Sequence, residues 1–324
     1  MTTATSPDKA DPRGWLPGFV LLGVIWGSSF VFIKVGVAEL HPLYVTLGRV
    51  LAGLLTLLVV LLVTRDRLPR DLRLWGHLVV TGVVGTALPF TLFGYGEERV
   101  SSSLAGIWNA TTALLVLPLA VYLFRTERMT THRATGLLIG FVGVLVVLGV
   151  WEGLGGAQFT GQLMCIGAAA CYAVAIPYTK RFISDRQESG IALAAGQLVT
   201  ATLSLAIIAP LAVGAPTPIA DLSVKAIASI LTLGAIGTGL AFVLNMRNIK
   251  LAGATTASMV TYLIPVFAVI LGVLALDEHI TWHQPVGALI VLVGVAVAQG
   301  LVARRKRPTP TPASPEAELA VERA

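Results

Sequence analysis

One nine-residue stretch occurs twice. Gly82-Val83-Val84-Gly85-Thr86-Ala87-Leu88-Pro89-Phe90 returns as Gly234-Ala235-Ile236-Gly237-Thr238-Gly239-Leu240-Ala241-Phe242, with Gly, Gly, Thr, Leu and Phe in register 152 residues later. The copy extends in both directions: Trp26 to Lys34 lies against Tyr172 to Lys180, aromatic first and lysine last. Glu127 through Gly143 lies against Glu278 through Gly294, sharing Thr130/Thr281, His132/His283 and Gly136/Gly287. Similarity sustained over such lengths marks a duplicated fold and not a chance match of two glycine-rich apolar segments. The chain therefore divides into a tail (1–16), a first repeat (17–151), a second repeat (161–303) and a second tail (304–324).

What each repeat is made of follows from polarity. Apolar residues are 55% of the chain and charged ones 12%, against about 25% charged in soluble domains. Windows of about 20 apolar residues, enough for a helix to cross a hydrocarbon core, fall at 17–37, 43–63, 74–93, 103–123, 133–151, 161–179, 190–213, 223–246, 255–275 and 283–303. The expected fold is an all-α integral membrane protein with ten transmembrane helices, five per repeat. The runs are continuous and long, unlike the alternating segments of about ten residues that build barrels. The first span lacks a small-residue cleavage site and reads as retained. Cys165 and Cys171, both in the sixth span, read as buried packing.

The net charge of +6 invites a nucleic-acid partner, but its placement points elsewhere. Of the 23 Lys and Arg, all but Lys34, Arg49, Arg99 and Lys225 fall in the tails and alternate loops that would face the cytoplasm. This would put both termini on the cytoplasmic side of the cell membrane and makes the bilayer, not nucleic acid, the partner; Arg304 to Arg307 would touch anionic lipid. An odd number of spans per repeat turns the second copy upside down, the arrangement of carriers that expose a central site to alternate sides. Gly136-x-x-x-Gly140 with Gly143, and Gly287 with Gly294, would allow close helix approach within the protomer or in a homodimer.

Ionisable groups inside a membrane are expensive, so each is a functional candidate. Arg49 lies about 9 Å inside span two at about 1.5 Å per residue, placed to pair with Glu39, Glu97 or Glu98 or to hold a substrate carboxylate. Lys34 sits near the end of span one, where it would snorkel to headgroups or touch substrate. By this span assignment every Asp and Glu falls in a loop, turn or tail, leaving no carboxylate at mid-membrane. Glu127 and Glu278 each follow a span and would fix a turn near a helix start. With Lys34 and Arg49, the substrate-contact candidates are Trp26, Ser28, Ser29, Trp108, Asn109, Tyr172, Tyr178, Phe242, Asn245 and Tyr262. His279 and His283 in a short turn make a poor metal set, and no cofactor motif is present.

The Trp26-Gly27-Ser28-Ser29-Phe30 run with Lys34 downstream, Arg49 in span two, and Pro265 with Asp277-Glu278 in and after span nine resemble the EamA-type members of the drug/metabolite transporter superfamily. The resemblance covers most of 17–303. It implies a ten-helix inverted-repeat carrier in which four helices of each half line a central cavity while helices five and ten support it. One departure is visible: Pro265 aligns with Leu114, and the nearest proline is Pro118, so helix four should bend nearer its end than helix nine. Small multidrug pumps of that superfamily rely on a glutamate in helix one, where this chain has Trp26 to Phe30. The expectation is thus a secondary transporter moving a small polar metabolite, an amino acid or related compound, outward by resemblance. A drug exporter is the alternative. A membrane-embedded enzyme would need converging His, Asp or Glu, which the scattered histidines do not supply.

Overall fold

A computed structural model describes residues 12–125, 127–152, 156–184 and 186–299. The stretches read above as an N-terminal tail up to residue 11 and a C-terminal tail with its arginine cluster lie outside the described residues. Among the described residues, nine helices are long and apolar enough to cross a bilayer: Gly14–Val37, Pro42–Thr64, Leu72–Glu97, Ser102–Leu123, Thr131–Leu148, Gly156–Phe182, Gly190–Val213, Val224–Ala252 and Thr256–Leu276. A shorter apolar helix, His283–Ala298, completes the second set of five. These are spans one to ten. No strand occurs among the described residues.

The starts of the spans are written in polar residues at their ends. Asp71, Ser101, Ser189 and Ser223 each accept from a backbone N–H of the first turn, at Arg73, Leu104, Ala192 and Ala226. Span two opens with Pro42 behind His41, whose imidazole accepts from Leu43. The first helix begins at Pro12, inside the segment expected to be tail. Large apolar side chains such as Leu62, Leu211 and Leu274 stand in the open, as a lipid-facing surface requires.

The repeated motif is where the helices stop being regular. Val83–Ala87 in span three and Ala235–Leu240 in span eight are both wound as π-helix. In the second copy the Thr238 hydroxyl donates to the carbonyl of Leu233, five residues back, at 3.1 Å. In the first copy the matching carbonyl, that of Thr81, takes Gln197 Nε2 at 3.3 Å instead; glycine's weak hold on the α conformation is common to both turns. Spans four and nine also break, but differently. A π-wound Leu119–Leu123 follows Pro118 in span four, whereas Met259–Tyr262 winds as 3₁₀ just ahead of Pro265 in span nine. The irregular winding near the end of helix four follows the proline that the sequence marks there; the break at Thr111 carries no such signal.

Packing repeats with the sequence. Span one lies against spans eight and nine, and span six lies against spans three and four; two packs on seven, and five on ten. The five–ten seam is glycine on both sides. A Cβ added at Gly136 would stand 2.3 Å from the Ala298 nitrogen, and one at Gly143 2.6 Å from that of Val291. As residue number rises in span five it falls in span ten, so this pair of equivalent helices runs antiparallel, backbone on backbone. This seam lies within one chain.

Candidate functional site

The second residue of each Gly-Thr step is the anchor of the site. Span two carries Gly48-Arg49 and span seven, its equivalent, Gly196-Gln197. Arg49 donates from Nε to Thr238 Oγ1 at 3.0 Å. Gln197 donates from Nε2 to Thr86 Oγ1 at 2.7 Å. The same crossing contact is thus made twice, once by a cation and once by a neutral amide. The neighbours repeat too: a Cβ on Gly237 would meet Ser29 and one on Gly85 would meet Ala175, which occupy matching places in spans one and six.

Arg49 is only 7% exposed. Its guanidinium carbon lies 3.5 Å from the centroid of the Phe90 ring, a cation–π contact that adds to the Thr238 bond in fixing the group. Neither Nη has a hydrogen-bond partner among the described residues, and the ion pair considered for it is not formed. Glu39 instead takes the backbone N–H and hydroxyl of Ser223 at 2.7 and 2.6 Å, and Glu98 pairs with Arg99 at 2.9 Å. Around the guanidinium stands an aromatic wall. Tyr172 lies 6.5 Å from Phe90 and 6.3 Å from Phe93 between ring centroids, and Phe93 meets Phe30 edge-on at 5.4 Å. A fixed fork with unspent donors beside aromatic faces suits a planar anion such as a carboxylate.

The other candidates from the sequence are distributed unevenly. Lys34 turns inward: its ammonium donates to the carbonyls of Glu97 and Val100, capping the end of span three, and so does not snorkel. Ser28 and Ser29 both donate to the Ile25 carbonyl of their own helix, at 2.9 and 3.1 Å. Trp26 and Phe242 pack against the principal core cluster. Trp108 is fully enclosed and donates to Gln162 at 3.2 Å, which takes it out of reach of a solute. Asn109 and Asn245 are half-buried. Tyr262 lies in the 3₁₀ turn of span nine with its hydroxyl buried and without a hydrogen-bond partner among the described residues. Tyr178 belongs to a separate cluster, bonded to His77 at 2.8 Å and packed on Phe182.

Glu97 corrects the expectation that no carboxylate lies within a span. Span three continues to Glu97, whose side chain is completely buried, with neither carboxyl oxygen hydrogen-bonded among the described residues. Sequence reasoning placed it in an acidic turn because Glu97, Glu98 and Arg99 are adjacent; helix phase turns Glu97 inward while its neighbours face out.

Glu127 and Glu278, equivalent in sequence, part company. Glu278 takes the backbone N–H groups of Ser102 and Ser103 at 2.6 and 2.9 Å and the Ser103 hydroxyl at 2.5 Å. It caps span four, in the other repeat, and not the helix that follows it. Glu127 makes ion pairs with Lys180 at 2.5 Å and Arg133 at 2.9 Å.

The EamA-like transporter family matches the chain twice, over residues 14–149 and 159–299. Among similar proteins is the uncharacterized transporter YoaV of Bacillus subtilis, 25% identical over 291 residues, covering 89% of this chain and 98% of its own. Another is a probable amino-acid metabolite efflux pump of Escherichia coli, 25% identical over 292 residues, covering 86% and 92%. A solved crystal structure covers 93% of this chain and 100% of its own at a TM-score of 0.64 and 18% identity, a likeness of fold alone.

Proposed function

The chain belongs to the EamA-like transporter family, and we propose that it carries a small metabolite bearing a carboxylate, an amino acid or close relative, across the cell membrane by alternating access. Export is the direction we infer, with both termini cytoplasmic. The observation that carries the substrate class is Arg49: a nearly buried cation, fixed by Thr238 and Phe90, whose two Nη groups have no protein acceptor among the described residues. Such a charge is costly in an apolar interior, and a substrate carboxylate offsets that cost while reading the fork geometry. The similarity to a probable amino-acid metabolite efflux pump favours the same class and direction.

Two features support alternation. The antiparallel five–ten seam is what an inverted repeat requires of equivalent helices. The packing is also lopsided. The last part of span nine, Leu263–Leu276, lies on the first part of span four, Ser102–Ala110, and span one packs on spans three and four. Among the described residues no comparable packing joins span six to spans eight and nine. A carrier closed at the Glu278 end and open at the Glu127 end would have this asymmetry, and its alternate state would reverse it.

The test is a radiolabelled counterflow panel of amino acids, sugars, nucleosides and a lipophilic cation in proteoliposomes. Counterflow of an amino acid, strongly weakened in Arg49→Gln at unchanged protein yield, supports the reading. Counterflow of the cation alone, or activity in Arg49→Gln equal to the wild type, overturns it.

A further inference from the structure

Glu97 has no part in the site just described, yet it is the one fully buried carboxylate among the described residues. It is 0% exposed, among the largest fully buried side chains, and both carboxyl oxygens lack a hydrogen-bond partner among the described residues. Among the described residues it enters no ion pair. An ionised carboxylate enclosed without donors costs several kcal/mol in apolar surroundings. Protonation removes that charge and leaves an ordinary polar group to bury.

The cations that would otherwise hold the ionised form are present but occupied. Lys34, from span one, spends two of its three N–H donors on the carbonyls of Glu97 and Val100. Arg49, from span two, is turned to Thr238 and Phe90. Both lie within electrostatic reach of the Glu97 carboxyl, as does Glu278 beyond span nine, now bound at Ser102 and Ser103. Span six contributes Cys165, in the same field, and Tyr172 beside Arg49. On span three itself, Tyr95 meets His41 of span two at 3.4 Å, and Glu98 and Arg99 pair with each other.

We propose that Glu97 is a proton-binding site of the carrier: it holds a proton while Lys34 and Arg49 are engaged elsewhere, as here, and releases it when either cation moves into contact. The carboxyl O–H bond breaks, the proton leaves to water, and the carboxylate is then paired with the cation. The position of Glu97 on a helix shared by the Lys34 cap and the Phe90 contact links that exchange to any movement of spans one, two and three. The site stands whether or not the substrate is an amino acid.

The test needs no substrate. Purified full-length protein in lipid is titrated by infrared difference spectroscopy, reading the C=O stretch of protonated carboxyl groups, for wild type, Glu97→Gln and Glu98→Gln. The expected result is a protonated carboxyl in the wild type at neutral pH, where an ordinary glutamate of about 4.3 is ionised. That signal should vanish in Glu97→Gln and persist in Glu98→Gln. A wild type without the signal, or a Glu97→Gln protein that keeps it, overturns the proposal. Should Glu97→Gln fail to fold, Glu97→Asp must shift the band, and an unshifted band is equally fatal. Arg49→Gln counterflow fails or succeeds independently of this outcome.

Discussion

The two repeats place the same threonine on the same π-turn and then do different things with it. Thr238 receives a guanidinium from Arg49, and Thr86 receives an amide from Gln197. The fold needs only a donor that crosses from span two to eight, or from seven to three; glutamine meets that need. The positive charge of Arg49 is therefore not needed for the crossing bond to Thr238, which leaves it available for the carboxylate proposed above. A second divergence runs alongside: Glu278 clamps the start of span four, while its equivalent Glu127 is held by Lys180 and Arg133. Duplication keeps the scaffold, and divergence marks where the two halves have separate work.

Arg49→Gln puts into the first half what the second half already uses, so it should break the comparison most sharply. Thermal stability should change little, because the Thr238 bond can be remade as Gln197 makes its own. Binding of a carboxylate substrate should weaken by about ten- to hundredfold, the effect of losing a charged hydrogen bond of about 1.5–3 kcal/mol. Counterflow at several substrate concentrations measures it; a large loss of melting temperature instead would show that the charge is structural.

The five–ten seam tests the likeness of the halves, not their difference. Gly136→Val and Gly287→Val face backbone on the opposite helix, with a Cβ standing 2.3 Å from the Ala298 nitrogen and 2.6 Å from that of Val147. Each should cost about 1–3 kcal/mol by forcing the helices apart. Thermal unfolding in nanodiscs checks this, and the two costs should be similar if the repeats use the seam alike.

Glu278→Gln should sharpen the second divergence. It keeps one acceptor oxygen but loses the charge that favours the helix start, an effect of about 1 kcal/mol. Hydrogen exchange at the Ser102 and Ser103 amides should speed up by a factor of about five, while Glu127→Gln should leave those amides unchanged.

Much of this was readable from residue order. Span positions follow from apolar runs, and the duplication from the Gly-Thr motif, because both depend on local composition. Arg49 stood out because any charge inside an apolar run does. Glu97 did not, because it sits one turn beyond the last apolar residue, where only helix phase distinguishes a buried carboxylate from the exposed Glu98 beside it. The π-winding was hidden for a similar reason: Gly-x-x-Gly-Thr is compatible with a regular helix, and what meets the carbonyl five residues before the threonine is Thr238's own hydroxyl in one copy and Gln197 from span seven in the other. Lys34 resembled a headgroup anchor until the end of span three supplied carbonyls within its reach.

The smallest effect separates the Glu127 cluster from Glu39 at the other end of the bundle. The hydrogen bond from Lys180, then that from Arg133, holds the Glu127 carboxyl below the usual glutamate range, with partial burial opposing. A lowered value in the folded state stabilises the protein above the ordinary value of about 4.3 and is lost as pH falls through the lowered one. The melting-temperature gap between wild type and Glu127→Gln should therefore be open at neutral pH and close below about pH 4. With the Glu127 side chain 34% exposed, the gap corresponds to no more than about 1 kcal/mol. Glu39 is lowered chiefly by the Ser223 hydroxyl and then by its backbone N–H, so it shares the pH direction. Salt separates the two: the Lys180 and Arg133 pairs are screened by added electrolyte, whereas the neutral donors of Ser223 are not. Raising ionic strength at neutral pH should shrink the Glu127→Gln gap and leave that of Glu39→Gln in place. Equal shrinkage of both would mean that Lys225, the weakest of the influences on Glu39, governs it after all.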